Sequence, residues 1–163
     1  MALETEATEN VSTQTTEEIL QLVSFKLGNE EFGIDILAVQ EIIRMIEITR
    51  VPNSPNFVEG VINLRGKVLP VVNLRKRLGL PVKEYDKSTR IVVVDLERKT
   101  VGFIVDSVSE VLRISSVVTE PPPQMVGRVD SEYITAVGKL EDRLVILLDL
   151  NRILTNKEIA ALS

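Results

Sequence analysis

The feature that most constrains the fold of this 163-residue chain is an internal repeat. Residues 25–44 resemble residues 94–113 at a constant offset of 69 positions. Further along, residues 61–78 resemble residues 137–154 at an offset of 76, so the second copy contains a connection seven residues longer. The identical pairs include Leu27/Leu96, Gly33/Gly102, Val39/Val108, Glu41/Glu110, Arg44/Arg113, Val61/Val137, Leu64/Leu140 and Leu74/Leu150. The chain therefore contains two related units of roughly 60 to 70 residues each.

The apolar residues of these units follow the two-residue period of half-buried strands. Val23, Phe25 and Leu27 alternate with polar residues before a turn at Gly28-Asn29. In the second unit, "IVVVDL" (91–96) and "TVGFIVD" (100–106) form the corresponding pair. Units so small and rich in strands favour closed antiparallel barrels, which leave no open sheet edge. We predict a mainly β fold of two small antiparallel barrels packed side by side, with a functional groove at their interface.

Two short helical segments are predicted. Thr155 and Glu158 have the spacing of a capping box in front of "IAAL" (159–162), which indicates a short C-terminal helix. Ser54 and Pro55 have the order of a helix cap and first helical residue, and Gly60 would close that helical turn.

The charge is unevenly distributed along the chain. Residues 1–18 contain five glutamates and no Lys or Arg, which accounts for the whole net charge of −5. This Thr- and Glu-rich composition predicts a disordered acidic tail. The body, residues 19–162, is predicted to contain barrel units at about 19–80 and 88–155, with strands that can be exchanged between them. The body is electrically balanced, which argues against a phosphate-binding surface.

The composition excludes most familiar active sites. The chain has no Cys and no His, so thiolate nucleophiles, zinc-thiolate sites and histidine bases are absent. Gly60 and Gly66-Lys67 are one residue too far apart for a phosphate loop, and Val68 stands where Ser or Thr is needed. We predict no enzymatic activity, no cofactor and no metal. The absence of a secretory leader or a long apolar run predicts a cytoplasmic protein.

Four stretches carry a family resemblance: "GIDILAVQEI" (33–42), "PNSPNFVEGVINLRGKVLPVVNLRKRLG" (52–79), "VGFIVDSVSEVL" (101–112) and "YITAVGKLEDRLVILLDLNRIL" (133–154). Together they resemble the CheW-type coupling proteins of bacterial chemotaxis. The resemblance implies two SH3-like five-stranded barrels without catalysis. It also implies a scaffold that joins chemoreceptors to the CheA histidine kinase.

The segment Arg65-Gly66-Lys67 is the most informative candidate site. Glycine lets the chain reverse at positive φ, so a simple solvated hairpin turn is one interpretation. The alternative is an interface anchor, because the guanidinium of Arg65 is a rigid fork of donors that can grip a carboxylate. In the second copy Arg65 aligns with Glu141 and Gly66 with Asp142, so the charge of the turn reverses.

The resemblance also implies particular site residues. Glu41 and Arg65 are expected to form an ion pair beside the receptor-binding surface, where the pair orients Arg65 rather than adding much stability. The residue spacing places Val39, Glu41 and Ile43 on one face of a strand. A core valine and a buried glycine remain alternatives for Val108 and Gly102. The predicted receptor-binding residues are Val39, Glu41, Gly60, Asn63, Arg65, Gly66, Gly102 and Val108.

The expected partners are the regulatory domain of CheA and the cytoplasmic tips of methyl-accepting chemotaxis receptors. The protein is then associated with membrane-anchored arrays through these partners, without inserting into the membrane. An adaptor of the same fold in another signalling array fits the sequence equally well. A nucleic-acid-binding barrel fits less well, because the chain has no Trp, two Tyr and four Phe and a neutral body.

Overall fold

The computed structural model describes residues 18–97, 99–126, 129–155 and 157–158. The strands are β1 (Ile19–Leu27), β2 (Glu30–Asp35), β3 (Val39–Arg44), β4 (Val58–Leu64), β5 (Lys67–Asn73), β6 (Arg90–Leu96), β7 (Lys99–Val105), β8 (Ser107–Ser115), β9 (Thr119–Glu120), β10 (Met125–Val126), β11 (Val129–Asp130), β12 (Ile134–Lys139) and β13 (Leu144–Leu148). Two short helices are Leu74–Leu78 and Leu150–Ile153, and single 3₁₀ turns are Ile36–Ala38, Ser116–Val118 and Ser131–Tyr133.

The strands form two main sheets and one small hairpin. One sheet has the order β8-β1-β2-β13-β12-β9, the other has the order β3-β6-β7-β5-β4, and β10 pairs with β11. We call the first sheet the first barrel and the second sheet the second barrel. The predicted mainly β fold is confirmed. Residues 1–17 of the predicted tail lie outside the described residues, whereas the Glu18 N–H donates to Ser116 Oγ at 2.9 Å.

Both sheets close into five-stranded barrels, as the family resemblance implies. In the second barrel, Thr49 follows β3 and exchanges backbone hydrogen bonds of 2.9 and 2.8 Å with Val61 of β4. In the first barrel, β8 and β9 are separated by one 3₁₀ turn, and β9 pairs with β12. The segments β8 and β9 therefore act as one bent strand that closes the ring.

Each barrel combines strands from both copies of the repeat. The first barrel takes β1 and β2 from the first copy and β8, β9, β12 and β13 from the second. The second barrel takes β3, β4 and β5 from the first copy and β6 and β7 from the second. Two parallel pairs join the copies: Gly33 lies opposite Leu147, and Gly102 lies opposite Val71. The repeat relates these two pairs to each other. Each barrel therefore contains strands from both of the predicted units, 19–80 and 88–155.

The core consists of three apolar clusters. One belongs to the second barrel and includes Ile62, Val71 and Val93. Another belongs to the first barrel and includes Leu112 and Val145. The third and largest contains buried side chains of both barrels, among them Phe25, Phe32, Val92, Val94 and Phe103. The interface between the barrels is therefore packed like a protein interior. It is not itself a groove.

The predicted helical turn from Ser54 to Gly60 is wrong. The chain makes tight turns here, with the N–H of Val58 donating to the carbonyl of Pro55 at 3.0 Å, and Val58 already begins β4. A cap, a proline and a glycine are as typical of successive turns as of a helix.

The predicted capping box at the C-terminus is formed. The N–H of Glu158 donates to Thr155 Oγ1 at 3.1 Å, and the N–H of Thr155 donates to Glu158 Oε1 at 2.8 Å. Residues 159–162 of the predicted helix lie outside the described residues.

The helix Leu74–Leu78 was not predicted. Its N-terminus is capped by Asn73 Oδ1, which accepts from the N–H of Lys76 at 3.1 Å. Asp149 caps the helix Leu150–Ile153 at the equivalent position of the second copy. Both helices are about one turn long, so their apolar residues show no helical period in the sequence.

Candidate functional site

The β4–β5 hairpin ends in a tight turn at Arg65 and Gly66. Leu64 pairs with Lys67, and the two central residues have φ values of 54° and 85°. Positive φ at both central positions is typical of a type I′ turn, which suits the twist of a hairpin. The N–H of Gly66 donates to Asn63 Oδ1 at 2.8 Å. Asn63 thus holds the turn in shape, while Arg65 occupies a backbone conformation that is uncommon for a residue with a side chain.

Arg65 forms an ion pair with Glu41 of β3. One terminal nitrogen of the guanidinium donates to Glu41 Oε2, yet 69% of the Arg65 side chain stays exposed. The hydrogen bond to Glu41, and then the attraction of its charge, raise the pKa of Arg65. The arginine is therefore permanently charged and held from one side. Its exposed donors face solvent and can bind a partner.

A β-bulge in β3 decides where Glu41 points. Val39 pairs with Val94 and Glu41 with Val93, so Gln40 is an extra residue between two successive residues of β6. Directly paired residues share a face of the sheet. Val94 belongs to the interface cluster and Val93 to the cluster of the second barrel. The prediction that Val39 and Glu41 share a face is therefore wrong, because the bulge turns Val39 towards the interface.

Gly60 lies where the second barrel closes. Its φ is 150°, and a Cβ at this position would lie 2.1 Å from the carbonyl oxygen of Thr49. Thr49 is the residue that bridges to Val61 and closes the ring. Any side chain at Gly60 would push these strands apart, so its connection with the site is indirect.

Gly102 and Val108 lie apart from the turn. Gly102 is buried in β7, where a Cβ would be 2.7 Å from Ile91 Cγ2. Val108 pairs with Phe25 in the first barrel and packs partly buried against the interface cluster. Within the described residues, no hydrogen bond or ion pair joins either of them to Arg65. Packing accounts for both positions.

Two strongly exposed apolar residues were not predicted. Val68, at the start of β5 and three residues after Arg65, is 63% exposed. Leu37, in the 3₁₀ turn before β3, is 89% exposed and borders a different hollow with residues of β1 such as Leu20. Sequence does not separate an apolar residue that faces a partner from one that faces the core.

An open cleft lies at the rim between the barrels. The second barrel contributes Lys67, Val68 and Asp95, and the first contributes Asp35 and Thr135. Hydrogen bonds from Gln40 and Thr100 hold the pKa of Asp95 below its usual value, so its carboxylate is ionised near neutral pH. The cleft continues directly from the Arg65 turn, since Lys67 and Val68 follow it in the chain.

The second copy contains an equivalent turn with different contacts. Arg143, at the position equivalent to Lys67, donates from Nε to Glu31 Oε1 at 2.6 Å and from NH1 to Asp142 Oδ1 at 3.1 Å. Its remaining terminal nitrogen lies 3.8 Å from Glu110 Oε1. Glu31 is 7% exposed and also accepts from Ser24 Oγ. Arg143 is therefore engaged by three carboxylates of its own chain.

The two turns therefore differ in how much of the arginine side chain is exposed to a partner. Both place a strand glutamate, Glu41 or Glu110, beside an arginine of the hairpin. Arg143 contacts three carboxylates and its side chain is 36% exposed, whereas Arg65 contacts one carboxylate and its side chain is 69% exposed. An exposed and oriented arginine beside an open cleft is typical of a protein-recognition site. The fold and the site together define a protein-binding module built from two fused barrels.

Comparison with known proteins gives the family. A family model for the CheW-like domain matches residues 21–158. The chain is 39% identical over 140 residues to the chemotaxis protein CheW of Klebsiella aerogenes, covering 86% of this chain and 84% of that protein. It is also 39% identical over 150 residues to the chemotaxis protein CheW of Helicobacter pylori, covering 91% and 90%.

A solved structure agrees with this assignment. The crystal structure of the scaffolding protein TtCheW from Thermoanaerobacter tengcongensis matches with a TM-score of 0.78 and 35% identity, covering 86% of this chain and 91% of that chain. The chain belongs to the CheW-like family. It is a non-catalytic scaffold of chemotaxis signalling, in a family that couples chemoreceptors to the CheA histidine kinase.

The described residues contain no group of three or more acidic side chains arranged to hold a metal ion. None of the helices in the described ranges has the length and apolar character needed to cross a membrane.

Proposed function

We propose that the Arg65 turn and the adjoining cleft bind the cytoplasmic tip of a methyl-accepting chemotaxis receptor. The observation that carries the proposal is the contrast between the two arginines: Arg65 is 69% exposed and held by one carboxylate, whereas Arg143 is 36% exposed and contacts three, one of which, Glu31, is buried. We infer that the contacts of Arg143 serve the fold, and that the more exposed pair of Arg65 serves recognition.

The surroundings of Arg65 define the chemistry of the partner surface. Arg65 and Lys67 supply positive charge at the turn, and the exposed Val68 supplies apolar surface. A complementary partner presents a carboxylate beside an apolar ridge, so that the ion pair sets the orientation and burial supplies affinity. Glu41 restricts the rotamers of Arg65 before binding, which reduces the entropy lost on association.

We place the regulatory domain of the kinase on a separate apolar surface of the second barrel. Ile42, Ile46 and Val51 are 39%, 39% and 42% exposed. Successive residues of a strand point to opposite faces, so Ile42 points away from Glu41. A contiguous exposed apolar patch marks an interaction surface, and we assign these three side chains to one such patch. Two faces of one barrel then let the scaffold hold both partners at once.

We further propose that the protein works in the cytoplasm, attached to membrane-anchored receptor arrays through its partners. The similarity to the CheW chemotaxis proteins supports this location.

The variant Arg65→Glu tests the receptor site. Titration calorimetry against a soluble receptor-tip fragment should show a large loss of affinity, because the reversed charge repels the carboxylate that Arg65 binds. Lys87→Glu, a charge reversal at an exposed lysine of another turn, is the matched control and should bind as the original protein does. Equal affinity of the Arg65 variant and the control, with unchanged circular dichroism, would remove Arg65 from the site.

The pairing with Glu41 is tested by exchanging the charges. Glu41→Arg combined with Arg65→Glu restores the ion pair with reversed polarity, so the double variant should be closer to the original protein than the two single effects predict. The coupling free energy from this double-mutant cycle measures the pair. A coupling of zero would show that Glu41 does not orient Arg65.

A further inference from the structure

The two barrels meet along two rims that the repeat relates to each other. The open cleft lies at one rim and is lined in part by Asp149 and Asn151. Their equivalents at the offset of 76 are Asn73 and Arg75, which line a hollow at the other rim. The cleft has a volume of about 1020 Å³, whereas the hollow has one of about 10 Å³. One rim is therefore open and the other is filled.

An ion pair between Arg75 and Asp106 fills the second rim. Arg75 belongs to the helix Leu74–Leu78, which follows β5 of the second barrel. Its Nε donates to Asp106 Oδ1 at 2.8 Å, and its Nη2 donates to Asp106 Oδ2. The two side chains are only 12% and 13% exposed. Two parallel hydrogen bonds of this kind fix the orientation of the guanidinium relative to the carboxylate.

The backbone and the side chain of Asp106 also bind the first barrel. Its N–H donates to the carbonyl of Lys26 in β1 at 3.0 Å, and its Oδ2 accepts from the N–H of Gly28 at 2.8 Å. The ion pair therefore ties the helix of the second barrel to the β1–β2 hairpin of the first. The positions equivalent to this pair in the repeat hold Asn151 and Leu37, which cannot form an ion pair at the open rim.

A second arginine of the same helix lies where equivalent parts of the two barrels meet. The guanidinium carbon of Arg77 is 5.0 Å from the ring centre of Phe57 and 5.3 Å from that of Tyr133. Phe57 precedes β4 of the second barrel, and Tyr133, its equivalent at the offset of 76, precedes β12 of the first. Nε of Arg77 donates to the carbonyl of Ile153, the residue equivalent to Arg77 itself. The helix therefore contacts the first barrel both at the filled rim and near the axis that relates the two copies.

We propose that Arg75 is a positioning residue for receptor recognition. The inference rests on the proposed receptor site in the open cleft, and Arg75 is not among the residues that line that cleft. The apolar core between the barrels holds them together, but burial of apolar surface is not directional. The ion pair has a defined geometry and, with the contacts of Arg77, fixes the angle between the barrels. Because each barrel supplies one wall of the cleft, that angle sets the width of the cleft.

The angle between the barrels can be measured with spin labels, because the chain has no Cys. Arg44→Cys in β3 and Arg113→Cys in β8 place one label at an exposed strand position of each barrel. Electron–electron double resonance on the original protein with these labels should give a narrow distribution of distances. The variant Arg75→Met removes both hydrogen bonds with a side chain of similar length, so its distribution should broaden or shift.

The variant Arg75→Met should also bind a receptor-tip fragment about three- to tenfold more weakly in titration calorimetry, as expected if about a third to a tenth of the molecules keep the competent angle. Its affinity for the kinase regulatory domain should not change, because the proposed kinase surface lies within one barrel. Lys76→Met is the matched control. Lys76 lies in the same helix but pairs at 2.6 Å with Glu59 of its own barrel. This control should leave the label distances and the receptor affinity unchanged.

A second variant covers the case in which Arg75→Met alone does not fold. That substitution leaves the nearly buried carboxylate of Asp106 without its arginine, which is destabilising. Arg75→Met combined with Asp106→Asn removes both charges and keeps a side-chain acceptor for the N–H of Gly28. Circular dichroism should show the native fold in this double variant, and its label distances and receptor affinity should change as in the single variant.

The outcomes separate this inference from the receptor site itself. Unchanged label distances in the folded variants would overturn the positioning role, whatever their affinity. Changed distances with full receptor affinity would also overturn it, because the cleft would then not depend on the angle between the barrels. In both cases, impaired binding by Arg65→Glu would leave the receptor site standing. If Arg65→Glu keeps full affinity, the receptor site is wrong, and the role of Arg75 in receptor binding fails with it.

Discussion

Substitution of Gly60 by alanine should destabilise the protein more than the addition of one methyl group suggests. The added Cβ would lie 2.1 Å from the oxygen and 2.8 Å from the carbonyl carbon of Thr49, both of them backbone atoms. The backbone φ of 150° is itself strained for alanine. Strain and overpacking each cost about 1 to 3 kcal/mol, so we expect a loss of about 3 kcal/mol or more. For a chain of this length, that lowers Tm by roughly 6 to 12 °C.

Gly66→Ala is the matched control for this prediction. Gly66 also has a positive φ, 85°, but a Cβ there meets no atom within 4 Å. The control therefore carries the backbone strain alone, about 1 to 2 kcal/mol. Thermal unfolding followed by circular dichroism compares the two variants at equal concentration. A Tm loss in Gly60→Ala no larger than that in Gly66→Ala would refute the argument that close approach to Thr49 closes the barrel.

Two further predictions concern acid stability and an exposed apolar side chain. Burial opposes ionisation of Asp106, but hydrogen bonds from Arg75 and a backbone N–H outweigh it, so its pKa lies below the usual value. Asp106 therefore contributes stability above about pH 4 that is lost as the pH falls through its lowered pKa. The variant Asp106→Asn should have a lower Tm at neutral pH and should lose less Tm on acidification than the original protein. An unchanged dependence of Tm on pH would contradict this. Val68→Ser should change stability by no more than about 0.5 kcal/mol, since the side chain is exposed, yet weaken receptor-tip binding in calorimetry. A larger loss of stability in denaturant unfolding would show that Val68 supports the core instead.

The local elements could be predicted because their signals lie within a few residues. The hairpin at Gly28-Asn29 and the capping box at Thr155 and Glu158 are formed where the sequence places them. The failure at Ser54–Gly60 has the same origin, since cap, proline and glycine signals are shared by helices and turns. Sequence also indicated two related units and a charged turn at Arg65, and the repeat supplied the comparison with Arg143.

The arrangement of the barrels depends on pairings that no local signal encodes. Each barrel takes strands from both copies, and the parallel pairs that join them link residues that are 31 positions apart (Val71 and Gly102) and 114 positions apart (Gly33 and Leu147). The bulge at Gln40 likewise depends on how β3 meets β6, and it reversed the face expected for Val39. Leu37 and Val68 lie in continuous apolar stretches of the sequence, which do not reveal that these two side chains face outward.

The pairing of Glu41 with Arg65 was expected from the family resemblance, and the structure shows that contact. Its function in receptor binding stays a prediction. The sequence contains the two residues 24 positions apart, and no period or spacing rule joins them. Glu41 and Arg65 come into contact because the closed barrel places the bulge of β3 beside the β4–β5 turn.

The most direct test of the central claim is the mass of complexes formed when receptor-tip fragment and kinase regulatory domain are mixed with the protein. Sedimentation of the original protein should show a ternary complex, because Glu41, which pairs with Arg65, and Ile42, of the proposed kinase surface, point to opposite sides of β3. With Arg65→Glu, the kinase complex should remain and the receptor fragment should be lost. Competition between the two partners, or loss of both from the Arg65 variant, would contradict the claim that separate surfaces bridge receptor and kinase.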